Sequence, residues 1–72
     1  MERYLNTNGN SPVTYYQINE DSIEVWFKGA TKSYKYSYRK AGKKNVDNMK
    51  VLARNGSGLS AFITKNVRFQ YD

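Results

Sequence analysis

The sequence predicts a small two-layer α+β domain, in which a three-stranded antiparallel β-meander is followed by two short helices. Two observations predict this fold. Within residues 22–28 and 33–39, apolar and aromatic residues alternate with polar ones at the period of a β-strand. Between residues 45 and 67, apolar residues instead recur at the three- and four-residue spacing of an α-helix. A chain of 72 residues is long enough for one domain with a thin core.

The N-terminal segment and the first strand have contrasting compositions. Residues 6–12 read Asn-Thr-Asn-Gly-Asn-Ser-Pro, all of which favour turns, so residues 1–12 are expected to form a flexible arm and residues 13–72 a single folded domain. The first strand, Val13–Ile18, is rich in β-branched and aromatic residues and carries no charge. Because an uncharged edge strand invites pairing, we expect a homodimer to form through Val13–Ile18.

The second predicted strand, Ser22–Lys28, alternates most regularly. Ile23, Val25 and Phe27 fall on one face, which we expect to be buried, and Trp26 falls on the opposite face. The third strand is predicted over residues 33–39 after a short loop, which indicates a hairpin.

Two helices are predicted after residue 44. The first is about three turns long, with Asn45 as its N-cap and Gly56 as its left-handed C-terminal residue. The second follows the glycine corner at residues 56–58. We expect the helices to pack on the sheet face that carries Ile23, Val25, Phe27 and Tyr36. The helix residues expected to make this contact are Met49, Leu52, Phe62 and Ile63.

Positive charge is concentrated in one segment. Residues 32–54 hold eight of the twelve basic residues against Asp47 alone, in a chain whose net charge is +6. Such a field attracts phosphate or another acidic surface.

The favoured function is a non-enzymatic binding module that holds RNA or single-stranded nucleic acid with low sequence specificity. A base would stack on Trp26 while lysine and arginine contact the backbone, and nothing resembles a recognition helix or an RNP motif. The predicted site residues are Trp26, Lys28, Lys35, Arg39, Lys40, Lys43, Lys44 and Lys50. In the alternative, the same basic strip docks on an acidic surface of a partner protein, as an interaction or inhibitor module of phage or mobile-element origin.

Catalytic and metal sites are not expected. The chain has no histidine and no cysteine, which removes the usual general base and the usual thiolate nucleophile. Glu20, Asp21 and Glu24 form the only acidic cluster, without a second group of oxygen ligands, so neither a metal nor a cofactor is expected. Backbone amides at residues 56–58 could cradle a phosphate, although a glycine pair between two helical stripes is usually a corner.

No apolar stretch could span a bilayer and no signal-peptide pattern begins the chain, so a cytoplasmic location is expected.

Several motifs resemble one known family. The residues that carry the resemblance are the run Ile23–Gly29, the triplet Tyr34-Lys35-Tyr36, Gly58, and the spacing of Ile63, Val67 and Tyr71. In these residues the chain resembles the KTSC domain, named for its similarity to the C-terminal region of some lysyl-tRNA synthetases. The chain lacks the Val-Pro turn usual after the Tyr-x-Tyr strand, which indicates a divergent subtype of the kind found in short bacterial and phage proteins. The resemblance implies the predicted fold and an association with a tRNA synthetase, which agrees with the basic segment.

Overall fold

The computed structural model describes residues 1–72 and has an α+β fold with one four-stranded antiparallel sheet in the order β1-β2-β3-β4. The strands are β1 (Glu2–Arg3), β2 (Val13–Ile18), β3 (Ser22–Phe27) and β4 (Tyr34–Ser37). The helices are α1 (Tyr38–Ala41), α2 (Lys43–Asn55) and α3 (Leu59–Phe62), which continues as a π-helical turn over Ile63–Val67. None of these helices combines the length and the apolar character needed to cross a bilayer.

The central strand β3 behaves as its alternation predicts. Ile23 and Val25 are fully buried, and their cross-strand partners Tyr36 and Tyr16 are buried beside them. Full burial of an aliphatic side chain stabilises the fold by about 1.5–3 kcal/mol. Phe27 packs against the same core while Trp26 does not, so the predicted placement of Trp26 on the opposite face is confirmed.

The prediction of three strands was wrong by one. Residues 1–12, expected to be a flexible arm, include β1, in which Glu2 pairs with Tyr16 and Arg3 with Tyr15. The next residue, Tyr4, is buried, and its hydroxyl accepts a hydrogen bond from the Leu59 amide at 3.3 Å. Buried aromatic area holds this segment in place where turn-forming composition alone would leave it loose.

The same strand occupies part of the edge through which a homodimer was predicted, and the homodimer itself stays a prediction. β2 pairs with β3 on one side and with β1 on the other at Tyr15 and Tyr16. The Tyr4 amide also donates to the Thr14 carbonyl at 2.9 Å. Residues 14–16 of β2 are therefore not the free edge that the prediction assumed.

A β-bulge interrupts β2 between Val13 and Tyr15. Val13 pairs with Phe27 and is buried, whereas Tyr15 pairs with Trp26 and is 41% exposed. Two residues that strict alternation would place on one face thus lie on opposite faces, because the bulge inserts one extra residue.

The third predicted strand is shorter than expected. β4 ends at Ser37, whose side chain accepts from the Lys40 amide and so caps α1. Tyr38 therefore lies in a helix and not in the sheet. α2 begins at Lys43, before the predicted cap Asn45, whose side-chain amide instead donates to the Ala41 carbonyl.

The core-facing residues of the helices follow the predicted spacing. Val46, Met49 and Ala53 of α2 are buried, as are Leu59 and Ile63 after the glycine corner. Gly56 is left-handed with φ 76°, which confirms the predicted end of the helix. The expected core members Leu52 and Phe62 are only half-buried.

Candidate nucleic-acid interface

One face of the sheet has no helix packed against it. The buried side chains of β2, β3 and β4 lie with those of the helices in a single core cluster, on the other face. We call the uncovered side the outer face and define it by Arg3, Tyr15, Gln17, Glu24, Trp26 and Lys35, which are cross-strand partners in register.

Two aromatic side chains lie side by side on the outer face. Tyr15 is directly opposite Trp26, and Arg3 is directly opposite Tyr15 on the next strand. Side chains in such positions lie about 4.5–5.5 Å apart at Cβ. Tyr15 is exposed and Trp26 half-buried. The sequence did not indicate a role for Tyr15, because only the bulge turns its side chain toward Trp26.

The charges in the middle of the outer face partly cancel. Lys35 is directly opposite Glu24, whose carboxylate accepts a hydrogen bond from the Ser33 hydroxyl at 2.9 Å. The two side chains do not form an ion pair, since the single ion pair of the protein joins Lys43 and Asp47. Lys35 is therefore free to contact a ligand, but Glu24 repels phosphate at this position.

Four predicted cations lie together where α1 meets α2. Arg39, Lys40, Lys43 and Lys44 are all exposed within six residues, and we call them the basic corner. The Lys43 ammonium is 2.8 Å from the Asp47 carboxylate. The hydrogen bond between them raises the pKa of Lys43 and lowers that of Asp47. An exposed pair of this kind is weak and screened by salt, so Lys43 can exchange it for a phosphate.

Lys50 is not available to a ligand. The residue is 9% exposed, and its ammonium donates to the Glu20 carbonyl and to the Tyr38 hydroxyl, both at 3.1 Å. It is also 4.9 Å from the centre of the Tyr38 ring, which adds a cation–π contact. Position 50 lies one helical turn beyond Val46 on the same face of α2, but this spacing does not show which groups accept from the Lys50 ammonium.

An acidic turn lies beside the basic corner. The Asp21 carbonyl accepts from the Tyr38 amide at 2.8 Å, which fixes residues 19–21 against α1. Glu20 and Asp21 are exposed there. Their carboxylates reduce the positive potential at one side of the corner, a juxtaposition that linear sequence does not show.

The predicted site residues fall into two groups. Trp26 follows Val25, which pairs with Tyr34, so Trp26 lies beside the start of β4. The basic corner begins in α1, which follows the end of β4. Four residues of strand separate the two levels by about 13 Å. Trp26 and Lys28 therefore lie toward one end of the sheet and the basic corner toward the other, with Lys35 between them.

Other chemistry finds little support in the geometry. No group of three or more histidine, cysteine or acidic residues lies close enough to hold a metal ion. At the glycine corner, the amides of Gly56, Ser57 and Leu59 already donate to acceptors within the protein. These three donors are thus not free to cradle a phosphate.

Comparisons of the chain with protein-family models, with curated proteins and with solved structures give no match. The resemblance to the KTSC domain stays a prediction that rests on the motifs quoted above.

Proposed function

We propose that this protein binds single-stranded nucleic acid on the outer face, without catalysis and with low sequence specificity. The observation that carries the proposal is the pairing of Tyr15 with Trp26 on a sheet face that no helix covers. Adjacent aromatic side chains on an open sheet are a stacking platform for successive bases, and stacking contributes about 1–3 kcal/mol per base.

The surrounding charges suit a strand that runs along β3 and β4. Arg3 and Lys28 lie near the aromatic pair, Lys35 lies along the way, and the basic corner lies at the far end. Since the two groups are about 13 Å apart along the sheet, one bound segment must extend over several nucleotides to contact both.

Glu24 has a specific consequence for this path. Its carboxylate disfavours a phosphate but accepts hydrogen bonds from the exocyclic amino group of a base such as cytosine. We therefore expect bases, and not phosphates, to lie over the middle of the outer face.

Fluorescence anisotropy with mixed single-stranded RNA and DNA at several salt concentrations tests the proposal. The logarithm of affinity is expected to fall linearly with the logarithm of salt concentration, by about 0.7 per phosphate contact. Replacing Lys43 and Lys44 with alanine lowers this slope. Trp26→Ala and Tyr15→Ala each weaken binding at every salt concentration, by about 1–3 kcal/mol.

Matched control variants distinguish binding at the outer face and the basic corner from nonspecific electrostatic attraction between the positively charged protein and nucleic acid. Arg54→Ala with Lys65→Ala removes the same charge from exposed positions outside the outer face and the basic corner. Phe69→Ala removes an aromatic ring that is 75% exposed and lies in the C-terminal tail. If these controls weaken binding as much as the site variants do, or if the wild-type protein does not bind at low salt, the proposed function is wrong.

A further inference from the structure

A second surface lies on the helix side of the sheet, away from the outer face. It is a groove of about 340 Å³ between the end of the sheet, the π-helical turn and the C-terminal tail. We call it the aromatic groove and define it by Phe27, Tyr34, Tyr36, Arg68, Phe69 and Tyr71.

The rings of the aromatic groove meet edge to face. The ring centres of Tyr34 and Tyr71 are 4.9 Å apart with planes at 71°, and those of Tyr36 and Tyr71 are 6.3 Å apart at 81°. Rings in this arrangement present ridges and clefts instead of one flat stacking plate. Phe69 remains 75% exposed, which leaves most of a large apolar ring in contact with solvent.

Tyr36 contributes a polar group to the floor of this groove. The residue is only 2% exposed. Its hydroxyl makes no hydrogen bond to the protein. Every fully enclosed side-chain polar atom in the protein does have a hydrogen-bond partner, so the Tyr36 oxygen is not fully enclosed and reaches the surface of the groove. Burial raises the pKa of the Tyr36 hydroxyl to about 12, with smaller contributions from Tyr34 and Tyr71. The group therefore keeps its proton and is available as a donor.

The charge of the groove favours an acidic ligand. Arg68 is the single charged residue that lines it, and its guanidinium lies 5.2 Å from the centre of the Phe69 ring. The groove is open on one side, with Phe69 and Tyr71 exposed. A small molecule would stay largely in water there, because small-molecule sites usually enclose most of the ligand. A segment of peptide suits such a surface better.

The conformation of that peptide is restricted by the neighbouring strand. The Asp72 amide donates to the Lys35 carbonyl at 2.7 Å, and the Ser37 hydroxyl donates to the Asp72 carboxylate at 2.8 Å. The tail thus occupies part of the β4 edge, and a peptide cannot add there as a further strand. Polyproline II is the remaining extended form that docks in aromatic-lined grooves, and its carbonyls accept from tyrosine hydroxyls.

From these observations we propose that the aromatic groove binds a proline-rich peptide that carries an acidic residue opposite Arg68. Proline rings fill the clefts between the tyrosines, the Tyr36 hydroxyl donates to a peptide carbonyl, and a carboxylate of the peptide pairs with the Arg68 guanidinium. This interaction is separate from nucleic-acid binding on the outer face.

Nuclear magnetic resonance titration of the full chain tests the proposal, with a synthetic polyproline peptide ending in aspartate and the same peptide ending in lysine. We expect resonance shifts at the groove residues and tighter binding of the aspartate peptide. Tyr36→Phe, which keeps the ring, is expected to weaken binding about two- to tenfold. Arg68→Ala is expected to remove the preference for aspartate, while Tyr15→Phe on the outer face leaves binding unchanged.

Three results overturn the proposal. One is the absence of shifts with either peptide while the protein remains folded by its thermal melt. Another is a set of shifts that a mixed oligonucleotide reproduces at the groove, which would assign the groove to nucleic acid. The third is unchanged affinity in Tyr36→Phe with an unchanged melt, which counts against the proposed hydrogen bond and hence against this mode of binding.

Discussion

Gly56 and Leu5 approach so closely that a side chain at position 56 has no room. A Cβ atom on Gly56 would lie 2.5 Å from the Leu5 Cβ, and Gly56 has φ +76°. The Gly56 carbonyl also accepts from the Thr7 amide at 2.9 Å. The end of α2 is therefore joined to the N-terminal segment by a close contact and a hydrogen bond.

Gly56→Ala is expected to destabilise the protein more than Gly9→Ala does. Both residues have positive φ, which costs alanine about 1–2 kcal/mol, but nothing lies within 4 Å of a Cβ at Gly9. The difference between the two variants isolates the contact with Leu5. Urea unfolding of both variants measures this difference. An equal decrease in the free energy of unfolding would show that the N-terminal segment moves to accommodate the new side chain without destabilising the protein.

Tyr4→Phe is expected to lower the free energy of unfolding by about 1–3 kcal/mol, because the buried Leu59 amide loses its acceptor. Tyr15→Phe is the matched control, since the Tyr15 side chain is exposed. Hydrogen exchange at Leu59 gives a local readout. If exchange there stays as slow in Tyr4→Phe as in the wild type, the segment does not contribute as the structure indicates.

Lys50→Met is expected to separate structural from ligand-binding lysines. It removes the hydrogen bonds to Glu20 and Tyr38, so the free energy of unfolding falls by about 1–3 kcal/mol. The salt dependence of oligonucleotide binding should stay as in the wild type, unlike that of the Lys43 and Lys44 double variant. A reduced slope in Lys50→Met would return Lys50 to the interface.

Stability at alkaline pH is expected to depend on Tyr36. Its pKa is about 12 in the folded protein against 10.0 for the ordinary side chain, so the unfolded chain loses this proton first. The contribution of the Tyr36 hydroxyl to the free energy of unfolding is therefore fully present below pH 10 and is lost as pH rises through about 12. Chemical denaturation over this range should show a smaller decline for Tyr36→Phe than for the wild type. Tyr15→Phe serves as the control and should retain the wild-type decline.

Local periodicity determined much of this fold. The alternation around Ile23 and Val25 identified the buried face of β3, and helical spacing identified Met49 and Ile63 as facing the sheet. These features depend on residues near one another in the chain, where the geometry of a strand or a helix dictates which side chains share a face. The helix end at Gly56 was predictable for the same reason.

Contacts between distant residues decided the rest. Turn-forming composition in residues 6–12 could not show that Tyr4 reaches Leu59 or that β1 covers β2. The concentration of charge identified the basic corner, but not the acidic turn beside it or the use of Lys50 inside the protein. Burial and hydrogen bonding of these groups depend on neighbours that only the folded chain supplies.

The candidate site shows the same division. The sequence determined that Trp26 faces away from Phe27, because the two are neighbours on one alternating strand. Only the tertiary structure decided that Tyr15 lies beside Trp26, since the bulge after Val13 shifts the pairing of β2 by one residue and reverses the face that follows. A one-residue change of register carries no signal in composition or charge, and it is set by how β2 pairs with the strands on either side.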